Sequence, residues 1–367
     1  MRVSGDVRAL AAVLTVLARV VPGGRNLVPI LQGCRIGVDG ESVEFVATDL
    51  DLIVRLRSAV LGAEGEGVVV LPVRYLADLC RHLEGEFVLD LNPEGAQLRC
   101  GRGKYQMNVL DPSSFPELPV PGEGLVVDFD YLDLRRMDNR VGFACARDMS
   151  RPALTGVLWE AGPEGLTAVS TDGTRMCVWE HSGQVFPEVR RVVIPARAFD
   201  VVSRMPQPGE GERVRVVLEQ THIWFQTAVW AVGCRLLASP YPEWRQILPR
   251  EFVTTFGAPL SAFRAAVERV ALLGEAGDVR PVRLAFRPGV VELEASSPSV
   301  GRGREEVDAE VQGGPLEVFF NAALLLQGLA ALEGERVGGQ FVGPQQASVW
   351  LDPAEGAYRY LALPLKA

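Results

Sequence analysis

The sequence predicts an α+β protein built from three repeats of one unit, each with two helices packed on antiparallel sheets. Two observations carry that reading. The line Leu166 to Val178 has a near copy from Val43 to Leu56, about 123 residues earlier, and a fainter one from Val290 to Val300, about 125 residues later. Around each copy the same order of elements recurs, a helix, paired strands, a second helix and further strands, so three copies account for the whole length of 367 residues. The boundaries fall at 1–119, 125–248 and 250–367, the first marked by the Pro- and Gly-dense stretch Asp111 to Gly124 and the second by Ser239-Pro240-Tyr241-Pro242.

In the first repeat a helix follows Asp6, with Val7, Leu10, Val13, Leu14, Leu17 and Val21 at helical spacing. Strands are expected over Leu31 to Val38, Val43 to Leu56 and Val68 to Leu71. Pro72 opens a second helix, and strands Phe87 to Leu91 and Gln97 to Leu110 close the unit. The second repeat offers a helix from Tyr131 to Cys145 and a strand from Gly156 to Glu160. A hairpin then turns at Thr171-Asp172-Gly173, where Asp bonds its own backbone and Gly supplies positive φ. The strand Arg191 to Ile194, a helix after Pro195, and strands from Val214, Ile223 and Val229 follow. In the third repeat Ser261 is the expected N-cap of a helix to Leu273, Asn321 caps the second helix, and Tyr358 to Lys366 matches the last strand of the earlier units.

Nearly half of the residues are hydrophobic, enough for large cores. No apolar run approaches the roughly 20 residues of a membrane span, and the start lacks a signal-peptide layout, so a cytoplasmic protein without membrane contact is expected. Six scattered cysteines read as reduced packing residues. The net charge of −9 argues against nucleic acid on its face, but only Lys104 and Lys366 are lysines, so positive charge is nearly all Arg. Several arginines share helical faces: Arg74 with Arg81, Arg136 with Arg140 and Arg147, and Arg197 with Arg204.

Catalytic constellations are missing. Asp49, Asp51 and Asp172 have no nearby His in sequence and read as turn residues. Gly101-Arg102-Gly103-Lys104 lacks phosphate-loop spacing and sits between strands. Neither a nucleophile elbow nor zinc spacing is present, so no catalytic residue, metal or cofactor is expected.

Several stretches together resemble one family. They are Gly24-Arg25 with Leu27-Val28-Pro29-Ile30-Leu31, Ala47-Thr48-Asp49-Leu50, Thr171-Asp172-Gly173-Thr174-Arg175, Tyr241-Pro242-Glu243-Trp244 with Leu248-Pro249, and the ending Leu363-Pro364-Leu365-Lys366. The family is the bacterial sliding clamp, the β subunit of DNA polymerase III, and the resemblance covers essentially the full length. It implies three DNA-clamp domains and a head-to-tail homodimeric ring around duplex DNA, a non-catalytic processivity factor. The implied partners are the polymerase α subunit, the clamp loader, and other polymerases and repair proteins carrying clamp-binding peptides.

The resemblance also implies residues. A partner-peptide pocket would use Leu154, Thr171, Gly173, Thr174, Arg175, Met176, Pro242, Ile247, Ser348, Leu361, Leu363, Pro364 and Leu365. Arg25, Arg81, Arg147, Arg197 and Arg204 would face DNA. Arg74, Leu272, Leu273, Glu305 and Glu306 would meet across the dimer interface, where Ser299, Gly301, Arg302 and Arg304 dilute the acidic stretch. Thr174 and Gln246 depart from frequent family residues. Two alternatives stay open on residues alone: a three-repeat peptide-binding scaffold that never encircles DNA, and a hydrolase using Asp172 and Arg175.

Overall fold

The computed structural model describes residues 1–23, 28–58, 60–183, 186–274, 277 and 279–366. Among them run 26 strands and six helices: α1 (Val7–Val20), α2 (Val73–Arg81), α3 (Tyr131–Val141), α4 (Ala196–Val202), α5 (Leu260–Ala271) and α6 (Ala322–Ala330). Each repeat contributes two helices. The chain divides into two compact units, residues 1–135 with 197–236, and residues 136–196 with 237–367.

In the first unit, α1 begins where the Asp6 carboxylate accepts from Arg8 N at 2.7 Å, satisfying one free donor of the first turn. Val7, Leu10, Leu14, Leu17 and Val20 are fully buried, each contributing about 1.5–3 kcal/mol by leaving water. An eight-stranded antiparallel sheet runs in the order Leu125–Phe129, Val214–Leu218, His222–Gln226, Trp230–Arg235, Leu52–Ser58, Ser42–Thr48, Gly33–Asp39, Glu66–Pro72. Its middle joins two repeats, Cys234 opposite Leu52 and Trp230 opposite Leu56. A five-stranded sheet ends on Gly103–Met107.

The second unit repeats this plan. A nine-stranded sheet carries Arg190–Pro195, Gly156–Gly162, Gly165–Thr171 and Arg175–His181 next to Tyr358–Ala362, so the middle and last repeats share it as the first two share theirs. A four-stranded sheet ends on Gly301–Asp308. Its core is aromatic: Phe256, Phe286, Phe341 and Trp350 sit with ring centroids 4.6 to 6.1 Å apart.

Several expectations are corrected. Val43 to Leu56 is a hairpin of two strands, and Gln97 to Leu110 breaks at a turn before Gly103–Met107. The helix from Tyr131 ends at Val141 and tightens into a 3-10 turn, Gly142–Ala144. Ser261 is not an N-cap: α5 starts one residue earlier, after Pro259, whose fixed φ suits that place without a side-chain cap. Arg140 is not part of an exposed basic face. Its side chain is 3% exposed, paired with Glu333 at 3.0 Å and Glu355 at 2.6 Å, and lies over the Trp179 and Tyr358 rings. The short strands Arg2–Asp6 and Leu125–Phe129 were too brief to show a period.

All six cysteines are free and buried. Burial pushes the thiols of Cys34, Cys80, Cys177 and Cys234 up to about 12, since a thiolate loses its hydration there.

Candidate functional site

The hairpin joining Gly165–Thr171 to Arg175–His181 is fixed by its own polar residues. Thr171 Oγ1 donates to Arg175 O at 2.6 Å and accepts from Gly173 N at 3.0 Å. Asp172 Oδ1 accepts from Thr174 N at 2.8 Å, Thr174 Oγ1 at 2.7 Å and Arg175 N at 3.1 Å. Gly173 has φ of +92°, which an L side chain resists. The first repeat makes the same turn with the same hydrogen bonds: Asp49 Oδ1 accepts from Asp51 N and Leu52 N, and Thr48 Oγ1 from Leu50 N. Leu50 there holds φ of +84° without the freedom of glycine. The Asp residues are therefore turn builders.

Arg175 is pinned. Its Nε donates to Asp172 Oδ2 at 2.9 Å, Nη2 donates to Phe143 O at 2.8 Å, and Nη1 reaches Gln327. With a side chain only 9% exposed and all three guanidinium nitrogens engaged, it positions the hairpin.

Beside the hairpin runs Tyr358–Ala362, with Met176 opposite Leu361 and Arg175 opposite Ala362. Leu363 N continues the pairing to Thr174 O at 3.0 Å. The two strands and the exit of the middle repeat leave an apolar slot of about 80 Å³, lined by Thr171, Gly173, Thr174, Arg175, Met176, Ile247, Ala347, Leu361, Ala362 and Leu363. Ile247 and Leu363 are half exposed at its rim, at 50% and 48%, while Met176 and Leu361 form its buried floor. Eight of the implied pocket residues thus come together.

The others lie around it. Leu154 packs beneath, in one apolar cluster with Met176 and Leu361. Ser348 is buried, its hydroxyl donating to Ala362 O and accepting from Trp350 Nε1, and so supports the wall from behind. Pro242, Pro364 and Leu365 are outside the lining, Leu365 N being bonded to Phe319 O. Sequence reasoning missed Ala347 and Ala362. Strand alternation around Ser348 and Leu361 could have flagged them as neighbours, but small residues carry no pattern of their own.

The first repeat's equivalent corner is filled. Ile53 stands at the position of Met176 and lies opposite Gly233, where the second unit has Leu361. A Cβ on Gly233 would come within 2.2 Å of the Trp224 ring, which occupies that space. One bulky indole over one glycine closes this copy.

Of the arginines assigned to DNA, Arg25 lies outside the described residues. Arg147 is exposed. Arg81 pairs with Asp78, Arg197 with Asp49 and the Val20 carbonyl, and Arg204 with Asp200, which also binds Arg19 at 3.3 Å. At the residues assigned to dimerisation, Arg74 donates to Val21 O at 2.9 Å, Leu272 is 74% exposed, and Leu273 lies against Gly303. Glu305 takes two bonds from Arg269, and Glu306 pairs with Arg304. Among the described residues no group of three His, Cys, Asp or Glu side chains is placed to hold a metal ion, and no helix is long and apolar enough to cross a membrane.

Three family models match end to end: DNA polymerase III beta subunit N-terminal domain over 3–119, central domain over 130–243 and C-terminal domain over 245–366. The chain is 29% identical to the beta sliding clamp of Pseudomonas aeruginosa over 332 residues, 90% of each chain, and 26% identical to that of Staphylococcus aureus over 352 residues, 93% of each. A crystal structure of the Pseudomonas aeruginosa clamp bound to griselimycin superposes with a TM-score of 0.86 at 26% identity, covering 100% of both chains. A Bacillus subtilis clamp, at 24% identity, matches the fold with a TM-score of 0.87 over 100% of this chain and 99% of its own. Three consecutive domain matches, in the order and at the positions where the repeats fall, make this chain a member of the bacterial sliding clamp family, the beta subunits of DNA polymerase III.

Proposed function

We propose that the chain is a DNA polymerase processivity factor: a homodimeric ring that slides on duplex DNA and tethers the replicative polymerase by a short apolar peptide. The slot between the Thr171 hairpin and Leu361–Leu363 carries this reading. An extended peptide can run along the slot past Gly173, where the Arg151 guanidinium forms one edge, and seat apolar side chains on Met176 and Leu361. Met is unbranched and polarizable, so the floor adapts to more than one sequence. The clamp loader and repair proteins with similar peptides would compete for the same slot, and the chain itself would catalyse nothing, working in the cytoplasm.

Ring closure is supported by two open sheet edges, Gly103–Met107 in one unit and Gly301–Asp308 in the other. An unpaired edge is a template for another chain, and a head-to-tail contact that closes removes both. Leu272 and Leu273, with Arg74, Glu305 and Glu306, would lie at this junction. Arg81, Arg147, Arg197 and Arg204 would face the phosphates. Three of these four are partly neutralised by their own carboxylates, which suits a weak, salt-sensitive, sequence-independent hold that permits sliding.

The test is topological. The protein is loaded onto nicked circular DNA by a clamp loader and the circle is then cut. Loss from linear but not circular DNA is expected, and equal retention on both overturns the ring.

A further inference from the structure

The first unit holds a second cavity, of about 400 Å³, lined by Arg35, Val46, Arg55, Pro112, Phe115, Pro116, Glu117 and Leu118. Its floor is one row across three strands, Arg35 opposite Val46 and Val46 opposite Arg55. The second unit carries the matching row in the same register, Leu158 opposite Val169 and Val169 opposite Val178. There all three are buried in one continuous apolar cluster that includes Leu154, Met176, Tyr241, Trp244 and Leu361. In the first unit the two arginines divide the equivalent face into two small clusters, Ile30, Leu31 and Val70 with Leu110 and Phe115 on one side, and Ile53, Val217 and Trp224 with Leu118 on the other.

Neither guanidinium is fully used by the protein. Arg35 stands 3.8 Å from Glu44, which also faces Arg57 at 3.4 Å. Arg55 reaches the Leu118 carbonyl only at 3.4 Å, and its Nε is buried without a hydrogen-bond partner. An unpaired buried donor costs free energy that a ligand can recover. The pocket size is that of a small-ligand site, and its walls combine the two arginines with the apolar Phe115, Leu118, Pro112 and Pro116.

We propose that this pocket binds a carboxylate-bearing peptide segment of a partner, an Asp or Glu side chain between Arg35 and Arg55 with an adjacent apolar side chain against Phe115 and Leu118. A carboxylate matches guanidinium geometry and takes two parallel bonds. Nucleic acid fits less well, because Glu117 lines the pocket and Glu44 lies beside Arg35, and both repel a polyanion while tolerating one carboxylate. The chain would then dock partners at two chemically distinct places, an apolar slot in one unit and, in the other, a cationic pocket on the strand row that corresponds to Leu158, Val169 and Val178.

The test is calorimetric titration of the full chain with acetyl-Asp-Phe-amide and its neutral isostere acetyl-Asn-Phe-amide. The Asp peptide is expected to bind once per chain and at least about tenfold more tightly than the Asn peptide. Arg35→Leu and Arg55→Val, which install the residue types of the second unit, each lose at least about tenfold. Leu363→Asp, at the rim of the apolar slot, leaves Asp-peptide binding unchanged, so failure here is distinct from failure of the slot. Absent binding, equal affinity for the Asn peptide, unchanged affinity in both Arg variants, or loss in Leu363→Asp overturns the proposal. Inorganic phosphate competing as well as the Asp peptide also overturns it, since the pocket would then read charge alone. Should either Arg variant fail to fold, the Asp and Asn peptides on the unaltered chain decide.

Discussion

Arg175 Nε and Asp172 Oδ2 lie 2.9 Å apart at the tip of the hairpin that borders the apolar slot, in a pair that is largely out of solvent. Asp172 holds the turn with its other oxygen, so one carboxylate sets both the backbone course and the guanidinium. Asp172→Ala leaves the Arg175 Nε and the Thr174 and Arg175 amides without that acceptor. We expect a loss of about 2–4 kcal/mol in urea unfolding and a matching loss of partner-peptide affinity. Asp172→Asn keeps an acceptor and should cost clearly less.

Gly173→Ala tests the turn from the other side. At φ +92° the new Cβ would be strained and would stand 2.8 Å from Arg151 Nη1, so about 1 kcal/mol of stability should be lost, together with peptide affinity. The first repeat predicts the reverse sign. Leu50→Asn, at φ +84°, should gain about 0.5–1 kcal/mol because Asn adopts this conformation more readily. A thermal melt of both variants checks the pair of signs.

For the slot itself, the informative substitutions are at its rim. Met176 is only 2% exposed, so charging it would unfold its surroundings as well as block a ligand. Ile247→Asp and Leu363→Asp change half-exposed side chains and should leave melting nearly unchanged. Each should abolish polymerase stimulation by the protein in primer extension. Full stimulation by both variants would place the partner site elsewhere.

Arg140 and Arg204 form a contrast in ion pairing. Arg140→Ala removes the bonds to Glu333 and Glu355 and the cation over Trp179 and Tyr358, which should cost about 1–3 kcal/mol. Arg204→Ala breaks an exposed pair with Asp200 and should cost below about 1 kcal/mol. Chemical denaturation of the two variants reads the difference directly.

The buried thiols give a pH dependence. In the folded chain Cys34, Cys80, Cys177 and Cys234 ionise only near about 12, against 9.0 for an ordinary thiol. Above pH 9 the unfolded chain releases these protons first, so their contribution is complete below 9 and is lost as pH rises towards 12. Unfolding free energy should therefore fall between pH 9 and 11, and Cys34→Ala should flatten that fall. Thiol reagents at pH 8 should label the native protein slowly and the unfolded protein fast.

The sequence by itself determined the repeats, the hairpin turns and their Asp builders, the apolar helix stripes and the family. Each rests on local periodicity or local turn chemistry, which a linear chain displays. The hairpin Thr171 to Met176 and the tail from Leu361 could be assigned to one site by resemblance, and eight of the assigned lining residues do meet there. Ala347 and Ala362 escaped because a small side chain lines a slot through its neighbours' shape rather than its own chemistry. Tertiary structure alone decided three further matters. Arg140, on a helical face that looked basic, turned inward because acidic and aromatic side chains distant in sequence close over it. The sheets run from one repeat into the next, so the compact units cut through the middle repeat. The two related corners also diverged, one open above Met176 and Leu361, the other filled by Trp224 over Gly233 and crossed by Arg35 and Arg55. Which side chains fill a space depends on strand register between distant segments, and that pairing is settled only when the chain folds.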